Sequence, residues 1–129
     1  MGSSFEIHGH PNILASHRST IEFTKASHLT RNGDCIVGVR AGFSIAGLQE
    51  FLSLERVKIT ITAGSFTDSF TAIPNKSFCS SHEMVIRIGE FSSVRTFAVR
   101  AEKAARDIDR KVIAVLAGGG KAEVIVSGA

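Results

Sequence analysis

The sequence predicts a mainly β domain, an antiparallel β-sandwich or barrel-like fold with two short helices. Three observations predict it: runs in which apolar and polar residues alternate, their short spacing along the chain, and only two stretches with helical periodicity. The strand–helix–strand order at the C-terminal end leaves an α+β layer as the alternative. The 129 residues predict one β-rich domain over 1–129. A chain of this length buries a core without help from disulfides.

The first alternating run is Thr20-Ile21-Glu22-Phe23-Thr24-Lys25, with Ile21 and Phe23 on the inner face. Gly33-Asp34 opens a second, Cys35-Ile36-Val37-Gly38-Val39, which is apolar on both faces and reads as central. Arg56 to Thr62 sends Val57, Ile59 and Ile61 inward. Beyond Ala63-Gly64-Ser65, Phe66 to Ala72 alternates again, so the two runs form a hairpin. After a break at Pro74-Asn75-Lys76-Ser77 come Glu83–Ile88, Arg95–Arg100 and Ala122–Val126, seven strand-like runs in all. Ser44 caps a short helix whose stripe is Ile45, Leu48, Phe51 and Leu52. Asp107 or Asp109 starts another that buries Ile108, Val112, Ile113 and Leu116, and Gly118-Gly119-Gly120 stops it. No internal repeat, low-complexity stretch or linker is evident.

Composition and charge weigh against nucleic acid as a partner without excluding it. Fifteen Lys and Arg against twelve Asp and Glu leave a net charge of only +3. Cations gather only at Arg100, Lys103, Arg106, Arg110 and Lys111, with Glu102, Asp107 and Asp109 threaded among them. Nucleic-acid binding needs cations massed on one face. Stacking on bases needs exposed aromatics, whereas there is no Trp or Tyr and the nine Phe read mostly as core. Cys35 and Cys79 lie far apart and neither belongs to a CxxC, so neither a disulfide scaffold nor a zinc knuckle is indicated. The N-terminus has no secretory pattern and no run is long enough to cross a membrane, so the expected location is cytoplasmic.

Four of the five histidines fall in the first third: His8, His10, His17 and His28. His8-Gly9-His10 places two imidazoles on one side of an extended strand, and with His17 would resemble a three-histidine zinc site. Gly9-His10-Pro11-Asn12 also reads as a rigid turn closed by the Asn amide. Gly9 and Pro11 favour the turn, and no residue is assigned to a metal. Asn12, His17 and Thr20 come together if the loop folds back, and a neutral imidazole there is a general base. Asp34, at the head of its strand, is an acid or base, while Cys35 reads as a buried structural thiol. In the second cluster, Lys103, Arg106 and Arg110 converge on an anion near a helix start. The alternative there is a set of solvent-facing helix pairs. Two tempting motifs fail: Gly118-Gly119-Gly120-Lys121 follows a helix instead of opening one, and no GxSxG occurs.

Gly9-His10-Pro11-Asn12-Ile13, His17, Thr20-Ile21-Glu22-Phe23-Thr24 and Leu29 to Val39 together resemble the N-terminal signature of an archaeal family, the domain of unknown function numbered 371. Lys103-Ala104-Ala105-Arg106-Asp107-Ile108-Asp109-Arg110 resembles its C-terminal signature. The resemblance spans nearly the whole chain and implies a stand-alone, β-rich cytoplasmic domain of the sandwich type. It implies no activity and no cofactor, but it joins the two clusters and leaves His8 and His28 outside.

The function expected from these readings is binding of an anionic, phosphorylated small molecule. His10, His17 and Asp34 are the candidates for acid–base chemistry, and Asn12, Thr20, Lys103, Asp107 and Arg110 those for ligand contacts. The alternatives are a non-catalytic assembly module for an RNA or protein complex and a metal-dependent hydrolase using His10 and His17. An unpaired edge strand would favour a homo-oligomer.

Overall fold

The computed structural model describes residues 2–129. The hairpin forms as the alternation requires. β4 (Val57–Ala63) and β5 (Phe66–Pro74) pair antiparallel from Val57 opposite Ala72 to Ala63 opposite Phe66. Gly64, at φ 62°, supplies the left-handed turn residue between them. The remaining strands are β1 (Gly2–His8), β2 (Thr20–Thr24), β3 (Ile36–Gly38), β6 (Glu83–Arg87), β7 (Thr96–Val99) and β8 (Lys121–Gly128). Ser44 accepts a hydrogen bond from the Gly47 N–H at 3.0 Å and starts α1 (Ile45–Gln49), which runs into a 3-10 turn, Glu50–Ser53. Asp109 caps α2 (Arg110–Ala117) through the Lys111 N–H at 2.8 Å. A 3-10 turn, Ala105–Asp107, precedes it.

All eight strands lie in one sheet, in the order β1-β8-β4-β5-β7-β6-β2-β3. The mainly β reading holds, with three differences. β1 is an additional strand; only Phe5 and Ile7 of its seven residues are buried, so its alternation is too short to register. The pairing is mixed rather than antiparallel throughout, because β2 with β3 and β6 with β7 run parallel. Their connections, 25–35 and 88–95, are shorter than the dozen or so residues such a link usually takes. Lastly, the strands form a single curled sheet instead of two stacked ones. Its edges meet at a single bridge, where the His8 and Val39 amides exchange hydrogen bonds of 2.8 and 2.9 Å.

The enclosed core is continuous. Phe23, Ile59, Ile61, Phe70, Met84, Ile86 and Phe97 are almost wholly buried, and Leu48, Phe51, Val112 and Leu116 close it from the helices. Burial of each large side chain contributes about 1.5–3 kcal/mol. The Phe5 ring stands edge-on to Phe23 and to Phe43, both at 5.8 Å, and so joins β1 to β2 and to the segment before α1.

The architecture also contains a repeat that the sequence conceals. An approximate two-fold axis exchanges β1, β2, β3 and β4 for β5, β6, β7 and β8, and the backbone hydrogen bonds recur in pairs. Lys25 N–H to His82 O (2.9 Å) matches Ile88 N–H to Ser19 O (3.0 Å). Ser16 to Asp34 (2.9 Å) matches Cys79 to Val94 (2.8 Å). Glu22 to Cys35 matches Val85 to Arg95, and Ala41 to Thr24 matches Ala101 to Arg87. Arg40 and Arg100 hold the same left-handed conformation, at φ 48° and 51°. The sequence retains only Pro11-Asn12 beside Pro74-Asn75, and Val39-Arg40-Ala41 beside Val99-Arg100-Ala101. Both asparagines spend the side-chain amide on backbone carbonyls that are not themselves counterparts: Asn12 Nδ2 donates to Leu29 O at 2.8 Å, and Asn75 Nδ2 to Thr96 O at 2.8 Å and Ser93 O at 3.1 Å.

Candidate functional site

The loop between β1 and β2 folds back, as its turn residues predict. His10 Nδ1 accepts the Asn12 N–H at 3.0 Å, the His10 carbonyl accepts the Ile13 N–H, and the Asn12 amide is spent on Leu29. Gly9 is required here because a Cβ would fall 2.0 Å from the Leu116 carbonyl oxygen. His10 and Asn12 therefore shape the turn.

Beyond the turn, Ala15 takes φ 45°, which a side chain normally resists at a cost of about 1–2 kcal/mol. Arg110 offsets that cost: its guanidinium donates twice to the Ala15 carbonyl, at 3.1 and 3.2 Å, and once to Ala105 O at 3.4 Å. Next, Ser16 and His17 both donate their N–H to the Asp34 carbonyl, at 2.9 and 3.1 Å. The Arg106 N–H donates to the His17 carbonyl at 3.1 Å. The two segments singled out in the sequence thus come together in space, through the backbone.

Their junction is an open cleft of about 550 Å³ lined by Ser16, His17, Arg18, Ser19, Asp34 and Arg106. That volume suits a small molecule. The Arg18 guanidinium and the Asp34 carboxylate make no hydrogen bond or ion pair among the described residues, and Arg106 reaches only Asp107, at 3.8 Å. His17 Nδ1 accepts the Ser19 N–H at 3.1 Å, which places the ring proton on Nε2 and makes it a donor. Thr20 lies beside the cleft, buried, with its hydroxyl 3.3 Å from Ser19 Oγ.

The other cations and acids are engaged elsewhere. Lys103 Nζ meets Asp68 at 2.6 Å, and Asp68 also accepts the Asp109 N–H at 2.8 Å. Asp107 accepts the Ala104 N–H at 2.9 Å and closes the 3-10 turn. Lys103, Asp107 and Arg110 thus support the cleft without lining it, while Arg18, Arg106, Ser16 and Ser19 line it. Arg106 belongs to the cation cluster visible in the sequence, whereas Arg18 looks there like any surface arginine; only contacts across the fold show which cations are left unsatisfied.

Next to the cleft, Cys35 lies against Glu22, with its thiol 3.7 Å from Oε1. Burial and the Glu22 charge push the thiol up to about 12. Burial and the Glu83 carboxylate in turn raise Glu22 above the usual carboxylate range, against the opposing pull of Arg95. Among the described residues no three His, Cys, Asp or Glu side chains are grouped as a metal ion requires, so His8, His10 and His17 do not gather. No helix is long and apolar enough to cross a membrane.

Comparison with known proteins adds two findings. A family model described as a domain of unknown function (DUF371) matches residues 5–128. The chain is also 30% identical over 112 residues to an uncharacterized protein of Methanocaldococcus jannaschii, covering 81% of this chain and 83% of that protein.

Proposed function

Since the chain belongs to the DUF371 family, whose description names no activity, we propose from the cleft itself that the protein binds a small phosphorylated anion. The two-fold repeat carries this reading. The Ser16 N–H to Asp34 O bond that closes one wall of the cleft recurs as Cys79 to Val94, so the fold itself uses it. The cleft side chains do not recur: where one half has Ser16, His17, Arg18, Ser19 and Asp34, the other has Cys79, Ser80, Ser81, His82 and Val94. Folding alone does not demand an arginine or an aspartate at these positions, and unpaired charges held together repay their placement through a ligand.

Arg18 and Arg106 supply the positive charge, with planar forks suited to phosphate. Ser16, Ser19 and the His17 Nε2–H add neutral donors. Because the His17 Nδ1 lone pair is occupied by the Ser19 N–H, Asp34 is the group best placed to accept a proton. The expectation of His10 and His17 as acid–base groups narrows accordingly to Asp34.

Isothermal titration with inorganic phosphate and ribose 5-phosphate tests the reading. Binding is expected in the wild type and a loss of tenfold or more in Arg106→Ala, since a charge-assisted hydrogen bond contributes roughly 1.5–3 kcal/mol. A ligand present at about 100 times its Kd should also stabilise the fold by about 2.7 kcal/mol. Equal affinity in the wild type and Arg106→Ala would remove the cleft as the binding place.

A further inference from the structure

Seven of the nine phenylalanines are buried, and the sequence reading of Phe as core holds for them. Phe91 is the departure, at 67% exposure the most open large apolar residue of the described chain. It lies on the connection between β6 and β7, and that connection is fastened to the cleft. The Ile88 N–H donates to the carbonyl of Ser19, a cleft residue, at 3.0 Å. Arg87 sits opposite Thr20, the residue that follows Ser19. Its guanidinium covers one side of the Phe91 ring at 5.1 Å while Nε donates to Thr96 Oγ1 at 3.3 Å. The ring is thus backed by a tethered cation, and its other side is open. Three residues of extended chain, at most about 10 Å, separate it from the Ile88 anchor.

A second observation bears on the same ligand. Asp34 stands unpaired in a cleft otherwise supplied with donors. A bare inorganic anion would leave that carboxylate facing like charge. A ligand with hydroxyl groups beside its phosphate would satisfy it.

Building on the phosphorylated-anion reading of the cleft, we infer that the ligand is a nucleotide. Its phosphate lies between Arg18 and Arg106, its ribose hydroxyls donate to Asp34, and its base stacks on the open face of Phe91. The sugar links the two binding elements, which the Ile88–Ser19 bond and the three residues from Ile88 to Phe91 keep on one side of the fold. Stacking on an aromatic ring tolerates any base because every base presents a π-face. Adenosine monophosphate therefore serves as a probe for the class.

The experiment compares inorganic phosphate, ribose 5-phosphate and adenosine monophosphate by titration calorimetry on the full chain, in the wild type and in Phe91→Ala, Asp34→Asn and Arg106→Ala. Adenosine monophosphate is expected to bind roughly five- to hundredfold more tightly than ribose 5-phosphate. Phe91→Ala should close that gap and leave ribose 5-phosphate within twofold of wild type. Asp34→Asn should weaken both sugar-containing probes relative to inorganic phosphate, whose binding tightens as the like charge is removed. Adenosine monophosphate binding no tighter than ribose 5-phosphate, or Phe91→Ala weakening both alike, overturns the nucleotide inference while the anion site stands. Failure of all three probes to bind at millimolar concentration overturns both. Phe91 is exposed, so its truncation leaves the core intact, and a circular dichroism melt of each variant confirms the fold.

Discussion

Replacing Asp68 should weaken the support on which Arg106 rests. The Asp68 carboxylate joins three elements at once: it accepts Lys103 Nζ at 2.6 Å, the Asp109 N–H at 2.8 Å and the Ser69 N–H at 2.8 Å. Asp109 in turn caps α2, and Arg106 sits in the 3-10 turn just before it. The Lys103 bond is charge-assisted, but Lys103 is about a third exposed, at 31%. Solvent reduces its contribution to roughly 1–1.5 kcal/mol. Two backbone donors left to water cost about 0.5–1 kcal/mol each. Asp68→Ala should therefore lose about 2–3.5 kcal/mol, and Asp68→Asn, which keeps one acceptor oxygen, about half of that. At roughly 3–5 °C per kcal/mol for a domain of this size, the alanine variant should melt about 10 °C lower. Burial works against the Asp68 charge, but the hydrogen bonds from Lys103, Asp109 and Ser69 outweigh it and hold the carboxyl below its ordinary 3.8. A lowered folded-state value means the contribution is complete above about pH 4 and fades as the pH falls through the folded value. With no Trp or Tyr in the chain, the assay is urea or thermal unfolding followed by circular dichroism, from pH 7 down to 3. A loss below about 0.5 kcal/mol for Asp68→Ala, or a wild-type advantage over Asp68→Asn that is the same at pH 7 and pH 3, would refute the reasoning.

Three further outcomes are expected. At pH 7.5 iodoacetamide should label Cys79, which is exposed, and leave Cys35 unmodified, since its thiol is pushed up to about 12; mass spectrometry reads one adduct per folded chain and two after denaturation. Gly9→Ala should fail to fold or lose more than about 3 kcal/mol, because its Cβ meets two backbone carbonyl oxygens, at 2.0 and 2.6 Å, that cannot move aside; a melt within a few degrees of wild type would contradict the close approach. Glu22→Gln should raise the melting temperature at pH 8, with the gain vanishing toward pH 4, since a raised carboxyl disfavours the ionised fold above its unfolded value; a gain independent of pH would point to packing instead.

How much of this was legible depended on range. The β4–β5 hairpin and both helix caps were readable because the deciding contacts are local: a Gly turn between alternating runs, Ser44 on the Gly47 N–H, Asp109 on the Lys111 N–H. The parallel pairs were not, since nothing within residues 25–35 says that β3 returns along β2 in the same direction. The repeat was hidden because its demands fall on backbone amides, which tolerate almost any side chain; only Pro-Asn and Val-Arg-Ala survive in both halves. In the cleft, His17 and Asp34 were found by residue type and turn position. Lys103 and Arg110 were chosen over Arg106 and Arg18 because sequence density shows where cations are, not which are already bonded. Arg110 is consumed by a carbonyl far away in the chain, at Ala15.

The bridge between His8 and Val39 gives the sheet a seam. This line is fastened by one reciprocal pair of amides and by the Gly42 N–H to Glu6 O bond at 2.9 Å, and its counterpart in the other half, β5 with β7, pairs over only two residues. Three hydrogen bonds of about 1 kcal/mol each are a small barrier beside the stability of a whole domain. The wall therefore behaves as a strip hemmed at its ends and not as a tube. Amide exchange at His8 and Val39 is therefore expected to run ahead of the global rate while β8 keeps β1 in register. Ile7 lies just inside, pressed so closely on Gly38 that an added Cβ would come within 2.6 Å of it. Side-chain packing, more than backbone bonding, thus keeps the seam shut.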